Sequence, residues 1–409
     1  MGEGKKREAI IIFGDTFTFP NGNAATNRVH TYAKGFSENG FKAYVVCSRS
    51  DYTENPDGTF EGIDYSYPFG QKERSKYFLI RRWVKLLKYI NTHRHFRKLR
   101  ISYDILALIL YTDNLTIQLY GFLLGKLFNI KIIHERSEHP LRAYQNSKIN
   151  KARGEIKSII GTRLCDGIFS ISQYLSDFYK WRHVSEEKLL LVPSTVDVTR
   201  FNLSDVSPLP FDYIAYCGSL TIKKDGVDIL IESFRQLASE KPDIDLVLIG
   251  KGDLAEEEAS IRKRILQLDL GSRVHFLGQI SRQEVPAYLK GARLLALARP
   301  RSIVADAGFP SKLTEYLSTG KPVVVTRVGE IPNYLKDMEN AYLSEPGSAD
   351  DFARQIRYVL DNYESALTVG NRGKKLAETL FNYNFQALRM VEFIRSLNSK
   401  NLRVKPGII

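Results

Sequence analysis

The stretch Ala307–Thr326, AGFPSKLTEYLSTGKPVVVT, concentrates residues suited to chemistry on a charged, hydroxyl-rich ligand. Gly308, Phe309 and Pro310 form a turn, and Ser311, Lys312 and Leu313 follow where a helix should begin. A helix start presents unpaired backbone N–H groups and the positive end of the helix dipole, which suits an anion such as a phosphate. Glu315 lies one turn further on, on the same face as Ser311, where a carboxylate can accept from ligand hydroxyls. The break Gly320-Lys321-Pro322 then leads into Val323–Thr326, a run that reads as a buried strand. Any β-loop-α-β unit has turns of this kind, so the rest of the chain must decide.

Related chemistry recurs at other predicted strand ends. Tyr213–Cys217 runs into Gly218 and Ser219, with Lys224 just before the next helix. Asp245–Ile249 is followed by Gly250, Lys251 and Gly252, and Val274–Leu277 by Gly278. Each glycine alone is an ordinary tight turn. As a set, glycines that admit close backbone approach, with lysines beside them, suit a diphosphate. Neither GxxxxGK[ST] nor GxGxxG occurs, so the P-loop and the dinucleotide fingerprint do not apply. Asp243–Asp245 is the only Asp-x-Asp; it precedes a strand and reads as a solvated turn. In the first half, Gly22 and Asn23 lie in a loop that either meets ligand or is simply flexible. His134 ends the strand Lys131–His134 and is followed by polar Glu135–His139, so it lines a cleft or sits in the core. Glu138 reads as a weaker acid candidate or a surface carboxylate.

These loops need strands and helices to hold them. Ala9–Phe13, Lys42–Cys47, Ile105–Leu110, Lys131–His134, Asp166–Ile171 and Leu189–Val192 read as strands, alternating with helices over 27–39 and Leu115–Leu127. Around Ser194–Asp212 the pattern lapses into a Pro-rich linker, then restarts with Tyr213–Cys217 and continues to helices at Ala349–Asn362 and Glu364–Leu380. Short apolar strands alternating with helices imply doubly wound parallel sheets. At 409 residues two domains are expected. We place a first domain at 1–203 and a second at 204–382, with a terminal helix over 383–409 packing back on the first.

Charge adds a further feature. The net charge is +13, and eleven Lys and Arg residues fall between Lys72 and Arg100, opposed only by Glu73. The same segment carries an apolar stripe, Ile80, Trp83, Val84, Leu87 and Ile90, at helical spacing. A basic amphipathic helix over 76–100 is expected to dock on an anionic membrane surface; alternatively the stripe packs on its own domain. No nucleic-acid module accompanies it, so no nucleic-acid partner is expected. Cys47, Cys165 and Cys217 stand singly, which fits a reducing compartment and argues against zinc. No secretory leader and no run of membrane-spanning length is read, so the expected location is the cytoplasm, with peripheral attachment at the inner membrane face.

Three series carry a family resemblance: Gly218…Lys224-Asp225-Gly226-Val227-Asp228-Ile229-Leu230-Ile231, Val274-His275-Phe276-Leu277-Gly278, and Gly308-Phe309-Pro310…Glu315…Gly320-Lys321-Pro322-Val323-Val324. Together they resemble the donor half of the family 4 glycosyltransferases. Val192-Pro193…Val196-Asp197…Phe201 resembles that family's interdomain signature, and Asn21–Thr26 its acceptor-side loop. Lys131-Ile132-Ile133-His134 resembles its strand ending in histidine. The resemblance spans most of the chain and is strongest between Tyr213 and Asn340.

What the resemblance implies is a retaining enzyme of the GT-B fold, two doubly wound Rossmann-like α/β domains facing across a cleft. Its donor is a nucleotide-activated sugar, UDP- or GDP-linked, and its acceptor a glycan or lipid-linked glycan. No metal and no other cofactor is implied. Lys224 would grip the donor phosphates with the Gly218 and Ser219 backbone beside it. Ser311, Lys312 and Leu313 would offer N–H groups to the diphosphate, Glu315 would hold the ribose hydroxyls, and His134 would lie near the transferred sugar. Gly22, Gly250, Gly278, Gly308 and Phe309 complete the expected binding set. Glu315 is the second acid of the family's pair; the first falls at Ala307, leaving Asp306 as its substitute if the loop shifts. The arginine expected after the first glycine is Ser219, the Lys-Gly pair is opened by Asp225, and the glycine before Val196 is Thr195.

Breaking a sugar–phosphate bond leaves growing negative charge on the nucleoside diphosphate, which Lys224 and helix-start N–H groups would stabilise. Two other functions share this plan. A nucleotide-sugar 2-epimerase would need further acid/base carboxylates. A non-catalytic nucleotide-sugar or polyanion binder would bind donor without consuming it.

Overall fold

The computed structural model describes residues 6–49, 55–68, 75–140, 148–204 and 206–399. Chain contacts divide it into two units, one running to Thr195 and resuming at Tyr383, the other from Val196 to Asn382.

The first unit is built on eight strands. In chain order it contains β1 (Glu8–Gly14), α1 (Ala24–Glu38), β2 (Lys42–Cys47), β3 (Asp57–Phe60), β4 (Ile63–Ser66), α2 (Phe78–Ser102), β5 (Asp104–Tyr111), α3 (Leu115–Phe128), β6 (Lys131–Arg136), α4 (Lys148–Leu164), β7 (Gly167–Ser170), α5 (Gln173–Trp181) and β8 (Leu189–Leu191). The sheet order is β3-β4-β2-β1-β5-β6-β7-β8, parallel except for the β3–β4 hairpin. Strands β1 and β5 are apolar runs buried on both faces, as a helix-covered parallel sheet requires. The hairpin escapes the sequence reading. Its two-residue loop, Glu61 and Gly62, holds both residues at positive φ, 46° and 79°. Asn-Gly or Asp-Gly would have flagged that turn; Glu-Gly does not.

Helix α1 begins at Ala24, with the Asn23 side chain accepting from the Ala25 N–H at 3.0 Å. The loop before it is folded. Thr18 Oγ1 donates to the Asn21 carbonyl and Thr26 Oγ1 to the Thr18 carbonyl, each at 2.6 Å. A side chain at Gly22 would strike both threonine hydroxyls, so glycine there is explained locally.

The second unit has six strands, all parallel, ordered β11-β10-β9-β12-β13-β14. After a 3-10 turn at Val198–Phe201 come β9 (Asp212–Cys217), α6 (Ile222–Asp225), α7 (Val227–Leu237), β10 (Ile244–Ile249), α8 (Ala255–Gln267), β11 (Val274–Gly278), α9 (Val285–Gly291) and β12 (Leu294–Leu297). Then follow α10 (Ile303–Ala307), α11 (Ser311–Ser318), β13 (Val323–Thr326), α12 (Ile331–Tyr334), β14 (Tyr342–Ser344), α13 (Ala349–Asp361) and α14 (Tyr363–Thr379). Helix α14 packs on α11, with Gly373 close to Leu317 and Gly370 against the Gly320 and Lys321 backbone. That contact seats the helix bearing Ser311, Lys312 and Glu315.

The chain ends, among the described residues, with α15 (Tyr383–Ser399), which packs along α1. Close approach is possible because Gly35 lacks a side chain where Ala387 and the Tyr383 carbonyl lie. No helix among the described residues is long and apolar enough to cross a membrane.

Candidate functional site

Carboxyl ends of the strands in a parallel sheet are where ligands meet this architecture. In the second unit, β9 ends at Cys217, and its backbone is gripped from α11. The Tyr316 hydroxyl accepts from the Cys217 N–H at 2.7 Å and donates to the Cys217 carbonyl at 3.2 Å. The start of α11 is thereby pinned beside the end of β9.

Pro310 precedes α11 and no side chain caps the helix. Leu313 already donates its N–H to the Pro310 carbonyl at 3.0 Å, which corrects its expected role as a ligand donor. Ser311 and Lys312 keep the first-turn N–H groups that a helix leaves unpaired. Together with Glu315 they form the partly exposed face of α11, whereas Leu313, Thr314, Tyr316 and Leu317 are buried.

The Lys312 side chain has a partner that no motif announces. Its ammonium lies 2.7 Å from Asp225 Oδ2 and 2.8 Å from the Tyr216 hydroxyl, over the Tyr216 ring. Tyr216 in turn donates to the Ser219 carbonyl at 2.5 Å and stands 3.1 Å from Asp225 Oδ2. The same ammonium occupies the space that a side chain at Gly218 would need. Burial alone would raise the Asp225 carboxyl; Lys312 outweighs it, with Arg299 and Lys224 adding, and holds the group below its ordinary value. Burial pulls Lys312 below the ordinary lysine value, against the attraction of Asp225. Lys312 is the cation bonded to this carboxylate, and Arg299 and Lys224 lower it further through charge alone. Lys224 itself makes no hydrogen bond or ion pair among the described residues, and it is half-buried on α6. Arg299, 4% exposed and just past β12, is absent from the sequence reading, although a cation directly after a buried strand was a usable signal.

The strand-end glycines have backbone reasons. Gly218 donates to the Ile249 carbonyl at 2.9 Å, and Gly250 donates to the Gly278 carbonyl at 2.7 Å. A side chain at Gly250, whose φ is +127°, would collide with the Gly218 carbonyl. These glycines extend the ladder β9-β10-β11 past its strands and leave the backbone open there.

Glu315 accepts from Arg200 Nη1 at 3.0 Å through Oε1, and its other oxygen has no hydrogen-bond partner among the described residues. Arg200 was not foreseen. Phe309 departs from expectation: its ring is buried in an aromatic cluster with Tyr334 and Phe381, at 5.4 and 5.3 Å, so it supports the loop rather than facing ligand. Gly308 follows α10 with the Val304 carbonyl close to where a side chain would begin. Ala307 is buried, and Asp306 is partly exposed one helical position earlier, about 100° around α10. Asp306 therefore does not stand where an acid at 307 would. Asp245 of the Asp-x-Asp is ion-paired with Arg273 and hydrogen-bonded to His275, both at 2.6 Å, rather than solvated.

In the first unit His134 is wholly enclosed, with Nε2 3.4 Å from the Thr112 carbonyl oxygen and the ring beside Gly161. That is a core position and corrects its expected place on a ligand-lined surface. Its neighbour Glu135 is the anchored group, accepting from Arg28 at 2.8 Å and Tyr32 at 3.1 Å. Arg28 also donates to the Val192 and Pro193 carbonyls, tying α1 to β6 and the end of β8. Glu138 is exposed. Gly22 belongs to this unit, whereas every other glycine proposed above belongs to the second.

Comparison with known proteins places the second unit. Residues 205–376 match the family described as glycosyl transferases group 1. Two curated relatives are an MMP alpha-(1->4)-mannosyltransferase of Mycolicibacterium hassiacum and a GDP-mannose-dependent monoacylated alpha-(1-6)-phosphatidylinositol monomannoside mannosyltransferase of Corynebacterium glutamicum. The first is 26% identical over 54% of this chain and 51% of its own length. The second is 25% identical over 58% of this chain and 64% of its own. The chain thus spans between half and two thirds of these relatives. Among solved structures, Anabaena HepE in complex with UDP and glucose aligns with a TM-score of 0.71 at 18% identity, covering 94% of this chain and 99% of that one. Sucrose-phosphate synthase from Thermosynechococcus elongatus gives 0.71 at 18% identity over 96% and 100%. These alignments show the GT-B fold for the chain.

Proposed function

We propose that this chain, whose residues 205–376 match the family described as glycosyl transferases group 1, transfers a sugar from a nucleoside diphosphate sugar to a glycan or lipid-linked acceptor. The observation that carries the reading is the end of β9, where the Lys312–Asp225 pair and Lys224 of α6 stand with the uncapped start of α11. Phosphate oxygens are the natural counter-charge for such a cluster. Two of its neighbours in structure or sequence carry names that mention UDP with glucose, or GDP-mannose. A UDP- or GDP-sugar is accordingly the proposed donor.

Lys224, without an ion-pair partner among the described residues, and the N–H groups of Ser311 and Lys312 take up charge as it grows on the leaving diphosphate. Glu315 Oε2 accepts from ribose hydroxyls. With lysine and N–H donors to supply the charge that a divalent ion supplies elsewhere, the proposed transfer is metal-independent; retention of configuration is proposed from the resemblance to the family 4 glycosyltransferases alone.

The acceptor proposal involves α2. Between Ser75 and Tyr103 the chain carries no Asp or Glu. Tyr77, Phe78, Leu79 and Trp83 are 58–72% exposed, and Ile80, Leu87 and Ile90 also face outward. Most of the stripe thus stays exposed among the described residues. Lys72 and Arg74 lie outside the described residues. We propose that this face meets an anionic membrane surface and brings the first unit to a lipid-linked acceptor.

Lys224→Ala tests the reaction. Loss of one charge-assisted contact, about 1.5–3 kcal/mol, should lower transfer roughly ten- to a hundred-fold with the circular dichroism spectrum unchanged. Wild-type kcat/KM in that variant would remove Lys224 from the site.

A further inference from the structure

Arg200 lies in the 3-10 turn Val198–Phe201, inside the segment Val196-Asp197…Phe201 and 115 residues before Glu315. Its guanidinium is forked between two acceptors of the second unit. Nη1 donates to Glu315 Oε1 at 3.0 Å, and Nη2 donates to the Arg282 carbonyl at 2.7 Å. Both charged side chains are mostly shielded, Arg200 16% and Glu315 18% exposed. The turn that carries Arg200 is itself fixed. Asp197 Oδ1 accepts from the Thr199 N–H at 3.1 Å and from its hydroxyl at 2.6 Å, and Phe201 is buried. Lys290 of α9 donates to the Leu203 carbonyl at 2.5 Å just beyond.

We propose that Arg200 is a positioning residue that presents Glu315 to the ribose of the donor; this rests on the reading of Glu315 as a ribose ligand. A glutamate on a helix surface samples several rotamers. A planar guanidinium bonded at one end to a backbone carbonyl and at the other to one carboxylate oxygen selects among them. What remains is Glu315 Oε2, without a hydrogen-bond partner among the described residues, on the same face of α11 as Ser311 and Lys312. The spacing places the phosphate-directed N–H groups and the hydroxyl-directed oxygen one turn apart, as a ribose diphosphate presents them. Arg200 does not touch the ligand; it decides where the carboxylate points.

The test is the discrimination between a ribonucleotide and its 2′,3′-dideoxy counterpart, because a merely structural role would not move that ratio. Affinities are measured by calorimetry for UDP, GDP or ADP, whichever binds the wild type most tightly, and for the matching dideoxy compound. Wild type should prefer the ribonucleotide by roughly tenfold or more, the ratio expected for one hydrogen bond to a charged group. Glu315→Gln should abolish most of that preference. Arg200→Ala should reduce it at least about threefold, Arg200→Lys should retain part of it, and Arg200→Ala combined with Glu315→Gln should be no worse than Glu315→Gln alone, as coupled residues behave. If Arg200→Ala keeps the full preference while Glu315→Gln loses it, Arg200 does not position Glu315. If Glu315→Gln also keeps it, the ribose reading itself falls. Should Arg200→Ala fail to fold, Arg200→Lys and Arg200→Gln carry the comparison with the same criteria.

Discussion

At the scale of single residues, the pair Lys312–Asp225 is where structure and chemistry meet most tightly. Asp225 neutralises an ammonium that would otherwise sit shielded at the end of β9. Removing one member of a shielded pair leaves the other uncompensated, so Asp225→Asn should cost about 3 kcal/mol of stability, the low end for a buried pair because Lys312 keeps some exposure. A urea titration reads this directly, and an unchanged midpoint would show the pair to be marginal. The sign of the pH dependence follows from the carboxyl being held low in the folded chain. Its stabilising contribution is complete above the unfolded carboxyl value and is lost as pH falls through the lowered folded value. Asp225→Asn should therefore flatten the acid limb of the stability profile. Little of this pair was legible in the sequence. The alignment of Ser311 and Glu315 on one face follows from helical period and was readable. The partners of Lys312 and Glu315 stand 87 and 115 residues away in the chain, and no local pattern encodes such pairings. His134 failed for a related reason: a strand-ending histidine reads the same whether its ring faces ligand or, as here, the core.

At the scale of elements, apolar runs marked most strands because both faces of each parallel sheet are covered. The short hairpin β3–β4 and the four-residue α12 lack a run long enough to show periodicity. Helix α2 carries an apolar face that is exposed among the described residues, and α3 adjoins it through the Tyr89–Tyr120 ring contact at 4.8 Å. Leu119, Leu123 and Leu127 of α3, spaced by four, are also 45–59% exposed, which widens the outward apolar face. With about 1 kcal/mol for each basic residue near a charged surface, wild-type protein should co-sediment with vesicles containing anionic lipid but not with neutral ones. Binding should weaken with salt. Reversing Arg81, Arg82, Lys85 and Lys88 to glutamate should abolish it without altering nucleotide affinity. In a Trp181→Phe background, the emission of Trp83 should shift to the blue on anionic vesicles. Failure to sediment at low salt would remove the membrane from the account and favour a non-membrane acceptor.

At the scale of the whole molecule, two parallel sheets of eight and six strands carry the same logic. Each chain segment alternates buried strand and covering helix, and the strand ends are where side chains are spared from packing. That architecture was readable from alternation alone. The chemistry was readable only in the second unit, where glycines, lysines and a helix start fall at consecutive strand ends. In the first unit His134 and Glu135 at the end of β6 turn inward, to the core and to Arg28, and local sequence does not distinguish that from a ligand-facing strand end. The central claim is that the end of β9 and the start of α11 form a site for the diphosphate of a nucleotide sugar. Calorimetric titration with UDP, GDP and ADP and their monophosphates tests it most directly. The account predicts one-to-one binding of at least one diphosphate, with the matching monophosphate weaker by roughly tenfold or more, the loss of one charge-assisted contact. No binding by any diphosphate, or equal affinity for mono- and diphosphate, would contradict it.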